Sequence, residues 1–137
     1  MAYWLVKTEP TVYSFSDLER DKVTIWDGVA SNLALKHLRE MRKGDEVLVY
    51  HSGEEKSVVG IAEVASDPYP DPKSRGKKFS VVDLKPKKRL DYPVSLEEMK
   101  KDGRFLSIDL IRIPRLSAMP VSATIWAAVL AFSHKPG

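Results

Sequence analysis

Cysteine is absent from the 137 residues, which excludes disulfides, thiolate zinc sites and cysteine nucleophiles. Histidine is scarce. His37, His51 and His134 stand apart, with no pair at the i, i+4 spacing of a helical zinc site, and no metal or cofactor is expected. The glycines are isolated, so neither a phosphate-binding P-loop nor a dinucleotide fingerprint occurs. No apolar run approaches the roughly 20 residues that span a bilayer, and the N-terminus has neither a basic n-region nor a small-residue cleavage site. A soluble, unexported, cytoplasmic protein with no membrane partner is the expectation. Charge of one sign is also lacking: 22 basic against 19 acidic residues leave only +3, so the total says little about partners. The length suits one domain, residues 1–137, whose core needs no staple.

What is present begins with Tyr3-Trp4-Leu5-Val6-Lys7-Thr8-Glu9-Pro10, an apolar strand that runs into polar residues and a proline. Alternation puts Trp4, Val6 and Thr8 on one face and Tyr3, Leu5 and Lys7 on the other, so a face can start in core and finish at an open rim. Pro10 ends the strand near Thr8. Ser14 with Asp17, or Ser16 with Glu19, has capping-box spacing for a short helix. Lys22–Trp26 reads as a strand before an Asp27-Gly28 turn, and Ala34, Leu38 and Met41 mark one face of a helix over Ser31–Met41.

Glu46–Ser52 and Ser57–Ala65 read as a hairpin. The second run is apolar on both faces, and Gly60 inside it marks a bulge or a close approach by another backbone. Three prolines make Asp67–Pro72 a stiff loop. Between Lys73 and Arg89, eight basic residues meet one acid, which gives +7 there and leaves −4 elsewhere. Phe79–Leu84 within it reads as a strand whose charged ends either guard an edge or bind phosphates. Ser95 and Glu98 form a capping box for a short helix with Gly103 as its C-terminal cap. Phe105–Ile113 reads as extended, Arg115–Met119 as a loop or short edge strand, and Ser122 caps a last helix.

Two kinds of chemistry fit these residues. His51-Ser52, at a strand end, could meet Glu9 or Asp27 and act as acid or base, or His51 could be structural or contact a ligand. No third orienting group and no oxyanion-hole signature accompany it. Binding uses what is plentiful: Trp4, Trp26, Tyr50 and Tyr69 lie beside polar strand ends or turns, where a ring can stack on a base, while basic residues hold phosphates.

The succession Trp4–Pro10, Tyr13-Ser14-Phe15 with Asp17-Leu18, Trp26-Asp27-Gly28-Val29, Lys43-Gly44-Asp45, Tyr50-His51-Ser52, Val59–Val64, Tyr69–Pro72, Val82-Asp83-Leu84 and Arg115-Leu116-Ser117 with Pro120-Val121 resembles the EVE domain across almost the whole chain. The resemblance implies an α+β fold, a PUA-like small bent mixed β-barrel flanked by short helices. It implies a non-catalytic module that takes a flipped-out modified base of DNA or RNA into an aromatic-lined pocket. Carried over by position, the pocket comprises Trp4, Lys7, Thr8, Glu9, Trp26, Tyr50, His51 and Ser52, with Arg115 and Ser117 as neighbours. The family commonly continues its Trp-Asp-Gly-Val with Arg-Asn-Tyr-Gln-Ala-Arg, where this chain has Ala30-Ser31-Asn32-Leu33-Ala34-Leu35. A basic residue is thereby lost, and Ser31 or Asn32 is expected to stand in for the family's polar contact. The loop after Tyr69–Pro72 looks shorter than in many members. Lys77, Lys78, Lys87 and Lys88 are the expected contacts to the nucleic-acid backbone. A monomer is expected. An enzyme acting on a nucleotide through His51 and Glu9, or an RNA-binding module in RNA modification or translation, are the alternatives.

Overall fold

The computed structural model describes residues 1–29, 31–73 and 79–134. Ala30, Lys77, Lys78 and the loop following Pro72 lie outside the described residues.

The chain runs β1 (Tyr3–Thr8), α1 (Phe15–Asp21), β2 (Thr24–Trp26), α2 (Asn32–Glu40), β3 (Glu46–His51), β4 (Ser57–Val64), β5 (Tyr69–Pro70), β6 (Ser80–Ser95), α3 (Leu96–Lys100), a 3-10 turn (Gly103–Phe105), α4 (Asp109–Arg112), β7 (Ala118–Val121) and α5 (Ala123–Ser133). The strands form one curled half-barrel sheet in the order β2-β6-β4-β3-β1-β7, with β5 added beside β6. Among the described residues only β1 and β3 are parallel, with Lys7 opposite Tyr50 and Thr8 opposite His51; the other pairs are antiparallel. The mixed sheet flanked by short helices is the architecture that the sequence resemblance implies.

Side-chain alternation along β1 organises the two layers. Trp4 turns toward α2, where its ring lies 6.3 Å from that of His37, while Tyr3 stacks on Trp126 of α5 at 4.5 Å. Trp4, Leu5 and Val6 are all buried, so both faces of the strand are covered until Lys7 and Thr8, which are partly exposed. At its amino end the strand is held by Asp45. The Asp45 carboxylate accepts from Trp4 Nε1 (2.9 Å), Ala2 N (3.1 Å) and Arg42 N (3.0 Å). Burial pushes the carboxyl pKa up, but these three donors outweigh it and hold it below the usual value.

Of the two alternatives for Gly60, the bulge forms, and the approach by another backbone does not. The β3–β4 and β4–β6 registers shift beside it, and the close approach comes from a side chain: a Cβ there would lie 2.5 Å from the Phe15 ring. The capping boxes at Ser14 and Ser95 form, and Ser122 caps α5.

Four readings need correction. Phe105–Ile113 is not extended: it forms the 3-10 turn and α4, burying Phe105 and Leu110 and exposing Leu106, a helical rather than alternating pattern. Gly103 does not cap α3, whose C-cap is Lys101; Gly103 opens the 3-10 turn, whose N-cap Asp102 accepts from Arg104 N. The strand expected at Phe79–Leu84 continues to Ser95, past Pro86, where a register shift between Ile61 and Ala62 accommodates the missing donor. Within the loop read as Asp67–Pro72, Tyr69 and Pro70 pair with β6.

Candidate nucleic-acid interface

At the carboxyl end of β1 the two faces open into two separate hollows. On the Thr8 face lies a hollow of about 220 Å³ lined by Thr8, Val12, Tyr13, Thr24, Ile25, Trp26 and Asp27. On the Lys7 face lies one of about 270 Å³ lined by Lys7, Tyr50, Ser52, Gly53, Lys56, Leu96, Leu110 and Pro114. Consecutive residues of one strand thus serve different sites.

The first hollow is shaped by how α1 is attached. Thr8 Oγ1 donates to Tyr13 O (2.7 Å), and Glu9 O accepts from both Val12 N and Tyr13 N (2.9 Å each), so the turn before α1 is tied to the strand end. His51, beside Thr8 in the parallel register, accepts the otherwise orphaned Phe15 N–H at Nε2 (3.0 Å). Its Nδ1 therefore carries the proton and donates to Glu55 Oε2 (2.9 Å). Tyr13 meets Trp26 edge-on at 6.1 Å, and its hydroxyl donates to Asp21 (2.9 Å). Burial, together with Asp21, raises the Tyr13 pKa, so the phenol stays neutral. Val12 is 79% exposed at the rim, and Ile25 is also exposed.

The second hollow has a different character. Lys7 Nζ donates to Pro114 O and stands 5.7 Å above the Tyr50 ring. Its backbone N–H donates to Ser117 O (2.9 Å), which draws the Pro114–Ser117 segment alongside β1. Ser52 N donates to Thr8 O (2.9 Å) and closes the strand end beneath the hollow.

The residues expected at one pocket are therefore divided. Thr8 and Trp26 line the first hollow; Lys7, Tyr50 and Ser52 line the second. Glu9 sits at the rim, its carboxylate accepting from Thr11 and lying over Gly53. Trp4 lines neither: it is 5% exposed and its indole N–H is committed to Asp45. His51 is buried beneath α1 with both ring nitrogens engaged, so it presents no lone pair to a ligand or substrate. Ser31 spends its hydroxyl capping α2 at Ala34 N, and Asn32 is exposed as the first residue of that helix; neither lines a hollow. Arg115 is exposed on the turn after Pro114, and Ser117 contributes its carbonyl to β1.

Lys87 lies elsewhere. It pairs with Glu46, which stands opposite Tyr3 at the far end of the β1–β3 pair from Thr8 and His51, and Lys88 follows it, exposed on β6. Lys85 pairs across strands with Glu63, and Arg89 pairs with Glu19 of α1, so part of the basic run is neutralised.

Tyr13 and Asp27, both inside recognised motifs, and Val12, Thr24, Ile25, Lys56 and Pro114, outside them, were not picked out from the sequence as site residues. Only proximity in the fold shows them.

Comparison with known proteins places this geometry. A Rhodopseudomonas palustris protein solved by NMR is 40% identical and superposes with a TM-score of 0.93, covering 98% of this chain and 94% of that one. The human THYN1 protein, solved in complex with 5-methylcytosine-containing DNA, is 26% identical, with a TM-score of 0.92 and full coverage of both chains. Rat thymocyte nuclear protein 1 is 29% identical over 88% of this chain and 68% of the rat protein. The profile of the EVE domain matches residues 2–132, and the chain belongs to the EVE domain family.

Proposed function

We propose that this chain is a non-catalytic nucleic-acid-binding module that takes a modified base into the hollow lined by Trp26, with 5-methylcytosine as the base to test first. The observation that carries the reading is the matching fold of the human protein solved with 5-methylcytosine-containing DNA. The chemistry of the hollow agrees with it. Asp27 supplies an acceptor for the exocyclic amino group of cytosine, while Val12 and Ile25 offer apolar contact to a methyl group. Tyr13 supplies a half-buried ring at the hollow, with Trp26, 7% exposed, forming its deeper wall, and stacking on an aromatic ring contributes roughly 1–3 kcal/mol per base. Thymine carries the same methyl but presents an oxygen where cytosine presents an amino group, so Asp27 disfavours it.

The test is competition binding with oligonucleotides that differ at one position, carrying cytosine, 5-methylcytosine or thymine, in deoxy and ribo forms. Binding should rank 5-methylcytosine first, and Trp26→Ala should weaken binding of that base about 30-fold if stacking is worth about 2 kcal/mol, and, by removing a wall of the hollow, should abolish the preference over cytosine. Asp27→Asn should narrow the gap to thymine. Equal binding of thymine and 5-methylcytosine by the unaltered protein would sink the assignment of Asp27. A preference that survives Trp26→Ala would sink the hollow itself. The deoxy and ribo series decides whether DNA or RNA is the partner.

A further inference from the structure

The second hollow holds two cations, Lys7 and Lys56, that form no ion pair among the described residues, although Lys56 also borders a neighbouring hollow with Glu54, Glu55 and Glu97. Several basic side chains on the sheet and the helices are paired: Lys85 with Glu63, Lys87 with Glu46, Arg89 with Glu19, Arg104 with Asp102, Arg112 with Asp109. Lys7 and Lys56 have no carboxylate partner among the described residues, yet they line one hollow together, and no acid lines it with them. Lys7 is partly buried, and its one protein acceptor is a neutral carbonyl, Pro114 O. An ammonium has three donors, so at least two remain unused. Leaving a partly desolvated charge unpaired is unfavourable unless something of opposite charge arrives. Burial also lowers the Lys7 pKa, the direction expected of a cation that lacks a counter-charge. The Ser52 hydroxyl adds a neutral donor on the same wall.

The position of this hollow identifies its occupant. Lys7 and Thr8 are consecutive and point to opposite faces, so the hollow lined by Lys7 and the hollow lined by Trp26 open on either side of the same strand end. We infer that the Lys7 hollow is an anion site for one phosphodiester group of the nucleic acid whose base enters the Trp26 hollow, the strand passing over the end of β1. This rests on the base-binding reading given above. It moves the backbone contact from Lys87 and Lys88 to Lys7, Lys56 and Ser52.

The two readings fail separately in one experiment. Affinity for oligonucleotides with and without 5-methylcytosine is measured over a range of salt concentrations for the unaltered protein, Lys7→Met, Lys56→Gln and Trp26→Ala. Thermal melting confirms that each is folded, and the exposed Lys56 provides a variant that does not disturb the core. Each lysine variant should flatten the plot of log affinity against log salt by about 0.7–0.9, the effect of one lost phosphate contact, and leave the modified-to-unmodified ratio unchanged. Trp26→Ala should do the reverse. An unchanged salt slope in both lysine variants would overturn the anion site, whereas an unchanged ratio in Trp26→Ala would overturn only the base reading. Inorganic phosphate serves as the second probe, followed by amide shifts at Ser52 and Gly53. Shifts that vanish in Lys7→Met support the site. Shifts combined with an unchanged oligonucleotide slope would reassign it to free phosphate and overturn the nucleic-acid occupant.

Discussion

The two hollows at the end of β1 are alike in size, and both have aromatic and apolar walls, but they differ in charge. Among the described residues, one is lined by a single carboxylate, Asp27, with the Lys73 ammonium 3.9 Å from it, and by no cation; the other has two lysines, a serine and no carboxylate. A flat polar ring suits the first and an anion the second. The difference comes from period-2 alternation at one strand terminus, which sends Thr8 toward α1 and Lys7 toward α4. One strand end can therefore separate recognition of a base from retention of a backbone, so each face can be disabled without the other.

The largest effect should fall on the stability of the frame that carries both hollows, through the opposite end of β1. Asp45→Ala leaves the buried Trp4 indole N–H and the amides of Ala2 and Arg42 without their acceptor, a loss of about 3 kcal/mol of stability. Chemical denaturation measures it. Base preference and salt slope should both persist wherever the variant is folded, because Asp45 touches neither hollow. The native carboxyl titrates below its ordinary value of 3.8. Its contribution is therefore complete above about pH 4 and is lost as pH falls through the folded-state value. Asp45→Ala should flatten that acid limb of the stability profile. A steep limb that survives the substitution would show that another carboxylate is responsible.

A smaller effect should separate the faces. His51→Ala removes the acceptor for Phe15 N–H and loosens the junction that carries Tyr13, with a stability loss of roughly 1–3 kcal/mol. The modified-base preference should weaken while the salt slope stays. If the slope changed and the preference did not, His51 would belong functionally to the Lys7 face, and the proposed division of the strand end would be wrong.

How far the sequence revealed this arrangement depended on whether the signal was local. The strand ending at Pro10, the capping boxes at Ser14 and Ser95 and the α2 stripe are local and could be read directly. Phe105–Ile113 could not, because Leu106, Ile108 and Leu110 alternate with Ser107 and Asp109 as strand residues do, although the segment folds into helical turns. Motif resemblance placed Trp4 and His51 near a pocket, but their roles depend on long-range partners. Asp45 is 41 residues from Trp4 and Phe15 is 36 from His51, and these bonds make one residue core and the other a clasp. The basic run looked like a phosphate surface because Glu19, Glu46 and Glu63, which neutralise part of it, come from other strands or from α1. Lys56 carried no signal of its own; only the fold brings it to Lys7.

The smallest expected effect is the most delicate test of the division. Glu9 lies where the faces meet: its carboxylate accepts from Thr11 Oγ1 at 3.3 Å, and a Cβ on Gly53 would sit 2.6 Å from it. It follows Thr8 in the chain and overhangs the residue that follows Ser52, so its negative charge is felt by an incoming backbone without lining either hollow. Exposed charge interactions of this kind are worth about 0.2–1 kcal/mol and are screened by salt. Glu9→Gln should therefore tighten binding about twofold at low ionic strength, equally for cytosine and 5-methylcytosine, and the gain should fade as salt is added. Titration at two ionic strengths measures it. A gain confined to one base would mean that Glu9 reaches into the Trp26 hollow. The rim would then take part in reading the base, and the strand end would no longer be what divides base from phosphate.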